Sequence, residues 1–510
     1  MGNGVLTLPR YCRAGFSFHT HPSRIRLMSF RSSSPSSLGP THRLKCLLVA
    51  VMALACSPES TPTATELLAP SPSQGGNASA SRRADVARAL SAVFAGNAQS
   101  IAAAPSLVPP GAPLAPFIEA RLYAIANVAM HDALNATTPR FARYADTGPI
   151  DRDASAAAAV LTAAHDAIVG ADPVAQAATD TWYANEMAAL SGTAGVADGV
   201  TIGHRAAAAI LARRATDGVA AGGVGPYHPG SSAGDYQFTF PFNTPGFDFF
   251  GTGGFADASN WGSTVTPFVL TSTSQFRPGP PYGAASNAAA VLTRRYTSDF
   301  NEVKALGCAG CAARTPTQTE IALFWMENSP TGWNRIARVV AEQEKLDAAD
   351  AARLFAVLQM GEFDAYTSSL EAKYYYNFWR PVSAVALAAS DGNPLTSPAA
   401  GWEVLAFPTP PVPDYPSAHS TAGGSAAAII EALVPGRIHP FATTSGSLPG
   451  VTRTFSSVAA AADENRLSRI YIGYHFRQAT KVGVAQGRTV GNYVVEHSLR
   501  PLKDDDERDH

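Results

Sequence analysis

Apolar residues recur at helical spacing along most of the chain, and alanine supplies many of them. Phe117 to Ala136, Ser155 to Ile168, Ala175 to Leu190 and Val200 to Thr216 carry this period between breaks of Gly, Pro or Asp, and they predict a layer of helices. Residues 218 to 283 change character. They are rich in Gly, Pro and Phe and in turn pairs such as Pro-Gly and Gly-Gly, so a long irregular insertion is expected. Helical periodicity returns over Ala284 to Lys304, Thr317 to Met326, Gly332 to Glu344, Ala348 to Ala372, Thr421 to Leu433, Ser456 to Tyr471 and Lys481 to His497. No stretch alternates convincingly as a strand, and no internal repeat stands out. The expected fold class is all-α: a helical bundle core interrupted by that insertion.

The two ends read differently. Arg43 and Lys45 precede a short apolar run from Leu47 to Ala55, the form of an export signal and too short for a permanent span. Ala53-Leu54-Ala55-Cys56 resembles a bacterial lipoprotein box, which leaves lipidation at Cys56, simple cleavage and an uncleaved leader all open. The Ser/Arg/Pro-rich stretch upstream places the expected start further in, for example near Met28. The division that follows is a leader at 1–56, a Pro/Ser/Thr/Ala-rich linker at 57–83 and an N-terminal helical region at 84–217. After it come the insertion at 218–283, a catalytic helical core at 284–500 and a charged tail at 501–510. The expected location is exported: periplasmic, lipid-anchored or extracellular.

Composition narrows the class. A hydrophobic fraction of 46% against 15% charged residues provides ample core. A net charge of −2 argues against nucleic acid or an anionic membrane held by bulk electrostatics, so any anion site must be local. No apolar run of about 18 or more uncharged residues follows Cys56. Of five cysteines only Cys308 and Cys311 lie beyond the leader. With no second pair they cannot build a four-sulfur zinc site; a local disulfide is the expectation for an oxidising compartment, ahead of free thiols and redox catalysis. His131, His165 and His204 sit on Ala-rich helices and read as core or interface histidines, without zinc-ligand spacing.

Three stretches carry chemistry. "KYYYNFWRP" (Lys373 to Pro381) sets large aromatic side chains, Tyr374, Tyr375, Tyr376 and Trp379 among them, between two cations; if helical throughout, Lys373 and Arg380 stand about 10 Å apart along the axis and their stems can converge on one anion. The rings between them would wall the charges off from water. "PDYPSAHST" (Pro413 to Thr421) leads into an apolar helix, so Ser417 reads as its N-cap and the amides of Ala418 and His419 as a ready cradle for an oxyanion. "LSRIYIGYHFRQA" (Leu467 to Ala479) holds Arg469 and His475, about 240° apart on an ideal helix, so a break near Gly473 is needed to bring both to one ligand.

The order and spacing of these three resemble the combined family of vanadium-dependent haloperoxidases and type 2 phosphatidic-acid phosphatases: Lys, six residues, Arg-Pro; then Pro-Ser-Gly-His; then Ser-Arg, five residues, His. The match covers Lys373 to His475. Text such as "NEVKALG", "TEIALFW" and "WNRIAR" is similar to the secreted bacterial branch and extends the likeness over roughly Ile118 to Val494. The resemblance implies a helical bundle of the haloperoxidase/acid phosphatase type with vanadate as cofactor. It also implies that Lys373, Arg380, Ser417, the amide of Ala418 and Arg469 hold the oxygens, that His475 is the metal ligand or the phosphorus nucleophile, and that His419 is the acid-base partner. The substrates implied are hydrogen peroxide and halide, or a phosphate ester. A homodimer is consistent with relatives that pair helical faces.

Two positions depart from the family. Ala418 replaces a Gly, and Ala479 stands where an Asp often orients the last histidine, so another acceptor must hold the far nitrogen of His475. Val412, near the position that influences halide choice in some relatives, carries no clue to the halide. Haloperoxidase is the leading reading; a soluble acid phosphatase acting through a phosphohistidine and a non-catalytic exported oxyanion-binding lipoprotein are the alternatives.

Overall fold

Alanine-rich segments with few glycines form helices wherever a cap and a buried face coincide. A computed structural model of the protein describes residues 77–108, 114–219, 229–244 and 259–502; the leader, most of the linker, part of the insertion and the tail from 503 lie outside them. The helices are α1 (Asn77–Ala103), α2 (Pro116–Thr137), α3 (Ala156–Ala171), α4 (Gln176–Ala188), α5 (Val196–Arg214), α6 (Ser259–Ser263), α7 (Asn287–Ala290) and α8 (Arg294–Leu306). They continue with α9 (Pro316–Phe324), α10 (Ser329–Gln343), α11 (Ala348–Tyr376), α12 (Pro381–Leu387), α13 (Ala418–Leu433), α14 (Val458–Tyr471) and α15 (Arg477–His497). The fold is helical, as expected.

Helix α11 lies at the centre. Almost every residue from Ala348 to Lys373 is buried, polar ones included, because α2, α13, α15 and α1 pack around it. Helices α13 and α15 cross with their backbones touching. A methyl group at Gly483 would lie 2.6 Å from the Ser417 carbonyl oxygen, so only glycine admits the approach that seats the start of α13. The insertion returns to the core through Asp364 of α11, whose carboxylate accepts from the amides of Phe268, Val269 and Leu270 at 2.6, 2.8 and 3.0 Å. A second part of the insertion clasps the turn after α11: the Tyr236 amide donates to the Asn377 carbonyl at 2.9 Å, and the Trp379 amide to the Gly234 carbonyl at 2.8 Å.

The structure corrects several expectations. The linker gives way to α1 by Asn77, since Gly96 is the only helix breaker between there and Ala103. The helix expected over 284–304 is two, α7 and α8, because Thr293 caps a new start by accepting from the Tyr296 amide. A short antiparallel hairpin exists, β1 (Phe441–Thr444) with β2 (Thr452–Phe455), whose four-residue strands are too brief to register as alternation. Lys373 and Arg380 do not share a helix. Asn377 turns left-handed at φ 53° and ends α11, and Arg380 becomes the N-cap of α12 with Pro381 behind it. One expectation of this region holds: Cys308 and Cys311 are joined by a disulfide.

Candidate active site

Three separate turns deliver the site. The first is the break between α11 and α12, which leaves Lys373 on the last turn of one helix and Arg380 at the start of the next. Both are buried, at 0% and 2% exposure. The Lys373 ammonium donates to the carbonyls of Pro413 and Asp414 at 2.6 and 3.0 Å. Arg380 donates from Nε to the Val412 carbonyl at 2.7 Å and from Nη1 to the Tyr474 carbonyl at 2.9 Å. The aromatic neighbours divide: Trp379 is buried, while Tyr375 is 60% exposed and stacks under Arg277. The expected wall of rings is therefore partial.

The second turn is the start of α13. Ser417 is its N-cap, and its hydroxyl oxygen accepts from the Ser420 amide and hydroxyl at 3.4 and 3.0 Å. Ala418 and His419 occupy the first turn, where amide N–H groups lack helical partners and the helix dipole is positive. The Ala418 methyl packs towards the apolar core, which accommodates the departure from glycine.

The third turn follows α14, which ends at Tyr471. Gly473 adopts φ +89°, and the amides of Tyr474 and His475 both donate to the Arg469 carbonyl, at 3.1 and 3.2 Å. This is the break near Gly473 that the spacing required, and it folds His475 back beside Arg469. Arg469 donates from Nη1 to the Trp325 carbonyl at 2.9 Å, and its guanidinium lies 5.1 Å over the Tyr474 ring. Its Nε is buried without a partner.

The three turns meet. Arg380 Nη1 lies 2.9 Å from His475 Nε2, and Asp414 Oδ1 lies 2.8 Å from His475 Nδ1. Asp414 is the acceptor that the missing carboxylate at 479 called for; it arrives from the "PDYPSAHST" stretch instead. The backbone of Ala479 serves otherwise, its carbonyl accepting from the Ser417 amide at 3.0 Å. With Nδ1–H donated to Asp414, the Nε2 lone pair of His475 faces Arg380.

Electrostatics register the convergence. Burial holds the Lys373 ammonium well below its ordinary range, and Arg380 pushes it the same way while Asp414 opposes. Burial lowers the Arg469 guanidinium to about 10, reinforced by Arg380. His475 is pushed well down by burial and then by Arg380, Lys373, Arg469 and His419. His419 is pushed down by burial and by Arg469. Asp414 is raised to about 7 by burial, against the pull of Arg380 and Lys373. Clustered cations that oppose one another in a dry interior are costly, and an anion at their centre would offset the repulsion among Lys373, Arg380 and Arg469. The residues thus fit a tetrahedral or trigonal-bipyramidal oxyanion: long cationic arms, helix-start amides, a hydroxyl and an imidazole lone pair.

Sequence reasoning missed two contributors. Asp414 was visible as the only carboxylate in its box. Ser329, at the start of α10, lies 3.1 Å from His419 Nδ1 through its hydroxyl, and nothing in its local sequence marks it. His131 and His165 are tied to neighbouring carboxylates, as is His204, and no group of three or more metal-ligating side chains occurs among the described residues.

Residues 353–504 match the family model described as the VCPO second helical-bundle domain. The vanadium chloroperoxidase of Curvularia inaequalis is 28% identical over 281 residues, covering 42% of this chain and 45% of that protein, so the chain spans under half of this curated relative. Among solved structures, one described as the first bacterial vanadium-dependent iodoperoxidase superposes with a TM-score of 0.63 at 22% identity, over 83% of this chain and 97% of the other. The apo form of a bacterial vanadium-dependent chloroperoxidase superposes with a TM-score of 0.58 at 15% identity, over 76% and 94%. At these identities the solved structures establish a shared fold. The matched domain contains all three turns of the site, and over it the chain is similar to the vanadium-dependent haloperoxidases.

Proposed function

We propose that the protein is a vanadate-dependent haloperoxidase, oxidising halide with hydrogen peroxide. The observation that carries this reading is the shell itself: Lys373, Arg380 and Arg469, all buried, surround an imidazole lone pair, with Asp414 the carboxylate that opposes them. The names of the relatives support vanadate as the guest.

In this reading Lys373, Arg380 and Arg469 offset the charge on the oxygens, while Ser417 and the Ala418 amide donate to them. His475 Nε2 would be the protein's ligand to the metal, its ring held by Asp414. Vanadate, when bound, supplies a Lewis-acidic centre that activates hydrogen peroxide towards halide. The overall change consumes one halide, one peroxide and one proton, and yields hypohalous acid and water. His419 would relay protons between solvent and the bound oxygens, the one net proton consumed coming from solvent. The same reading takes the protein as exported, with lipidation at Cys56 one route of anchoring; the Cys308–Cys311 disulfide supports an oxidising compartment.

The test is a paired assay of purified protein, with peroxide and bromide on one side and a chromogenic phosphate ester on the other, each with and without vanadate. Vanadate-dependent bromide oxidation with no ester hydrolysis is expected. Ester hydrolysis inhibited by vanadate would replace the proposal with a phosphatase acting through His475, and neither activity would leave an oxyanion binder.

A further inference from the structure

His419 has a support of its own that no resemblance predicts. Its Nδ1 lies 3.1 Å from the hydroxyl of Ser329, which is 3% exposed and begins α10, ninety residues earlier in the chain. Both residues line one narrow cleft, together with Trp325, Trp333 and the Glu327–Arg335 ion pair. The Nε2 of His419 is buried without a hydrogen-bond partner, and the backbone of Trp325 is a further hydrogen-bonding neighbour of the ring. The Ser329 hydroxyl also neighbours the Tyr366 hydroxyl of α11.

We propose that Ser329 is the positioning residue that fixes the tautomer of His419: Nδ1 carries the proton and donates it to the Ser329 oxygen, leaving Nε2 as a bare lone pair. Three arguments support this assignment. A hydroxyl accepts as well as donates, and with its own proton turned to the Tyr366 oxygen Ser329 offers Nδ1–H a lone pair at 3.1 Å. Burial and the field of Arg469 disfavour a second proton on the imidazole, against the pull of the Trp325 backbone, so one ring nitrogen stays bare. A hydroxyl, unlike the carboxylate that holds His475, orients the ring without adding negative charge, so His419 stays neutral and free to take a proton.

The inference deepens the haloperoxidase reading and rests on it for the catalytic consequence, but its structural half is tested without vanadate. Nitrogen spectra of protein with labelled histidine, assigned with His419→Ala, should show His419 protonated at Nδ1 in the wild type. In Ser329→Ala the Nε2-protonated form should appear, and Ser329→Thr, which keeps a hydroxyl, should restore the original. An unchanged tautomer in Ser329→Ala overturns the proposal, as does an Nε2-protonated wild type. In the halide assay Ser329→Ala should lose about tenfold in kcat, the worth of one lost orienting hydrogen bond, with KM for peroxide nearly unchanged. Equal kcat overturns the positioning role. A wild type without halide oxidation but with the expected tautomer would instead count against the haloperoxidase reading alone.

Discussion

His475 and His419 face the same cluster of cations from opposite supports. His475 leans on a buried carboxylate, Asp414 Oδ1, at 2.8 Å; His419 leans on a neutral hydroxyl, that of Ser329, at 3.1 Å. A carboxylate behind an imidazole makes the far nitrogen richer in electrons and pins its direction, which suits a ligand or nucleophile. A hydroxyl pins direction with little change in basicity, which suits a group that must gain and lose a proton. Identical side chains thus acquire different chemistry from one atom in the second layer.

The largest predicted effects come from removing each ring. His475→Ala should abolish vanadate-dependent halide oxidation, and His419→Ala should lower kcat by about 10²- to 10⁴-fold while leaving vanadate bound. Steady-state assays with parallel vanadate titration separate the two; equal loss of binding in both would erase the distinction. Next comes the support of His475. Asp414→Asn keeps shape and an accepting oxygen but removes the negative charge behind Nδ1–H, and should weaken vanadate about 10- to 100-fold, read as the concentration giving half-maximal activity. An unchanged value would mean that Arg380 alone directs the ring.

The smallest effect lies in stability. Burial, then Arg469, holds His419 well below its ordinary 6.5, so the unfolded chain takes up a proton that the folded one refuses. That contribution is present above pH 6.5 and is lost as pH falls towards the lower folded value. Between about pH 7.5 and about pH 5.5 the wild type should therefore lose more Tm than His419→Asn does. Parallel curves would show that His419 is not held neutral by the fold.

Much of this was legible in the sequence, for identifiable reasons. The helices of the body follow from alanine-rich apolar spacing, and the bounds of α2, α3 and α13 fall within a few residues of those expected. The convergence of Arg469 with His475 was conditional on a turn at Gly473, and Gly473 makes it. The geometry between Lys373 and Arg380 was misjudged because Asn377, one residue with φ 53°, decides whether the segment continues as helix. Pro381 was the available warning, since proline favours the first position of a new helix. Asp414 could be seen but not assigned, as its partner lies 61 positions away. Ser329 could not be found at all: its relation to His419 exists only once α10 packs beside α13.

Three turns assemble a buried cationic shell suited to an oxyanion. Calorimetric titration of vanadate into protein freed of it, at neutral pH, tests this most directly. Saturable binding of one equivalent is predicted in the wild type, weakened about 10- to 100-fold in Arg380→Ala by the loss of a charge-assisted contact. Absence of binding to the wild type, or equal affinity in the variant, would contradict it.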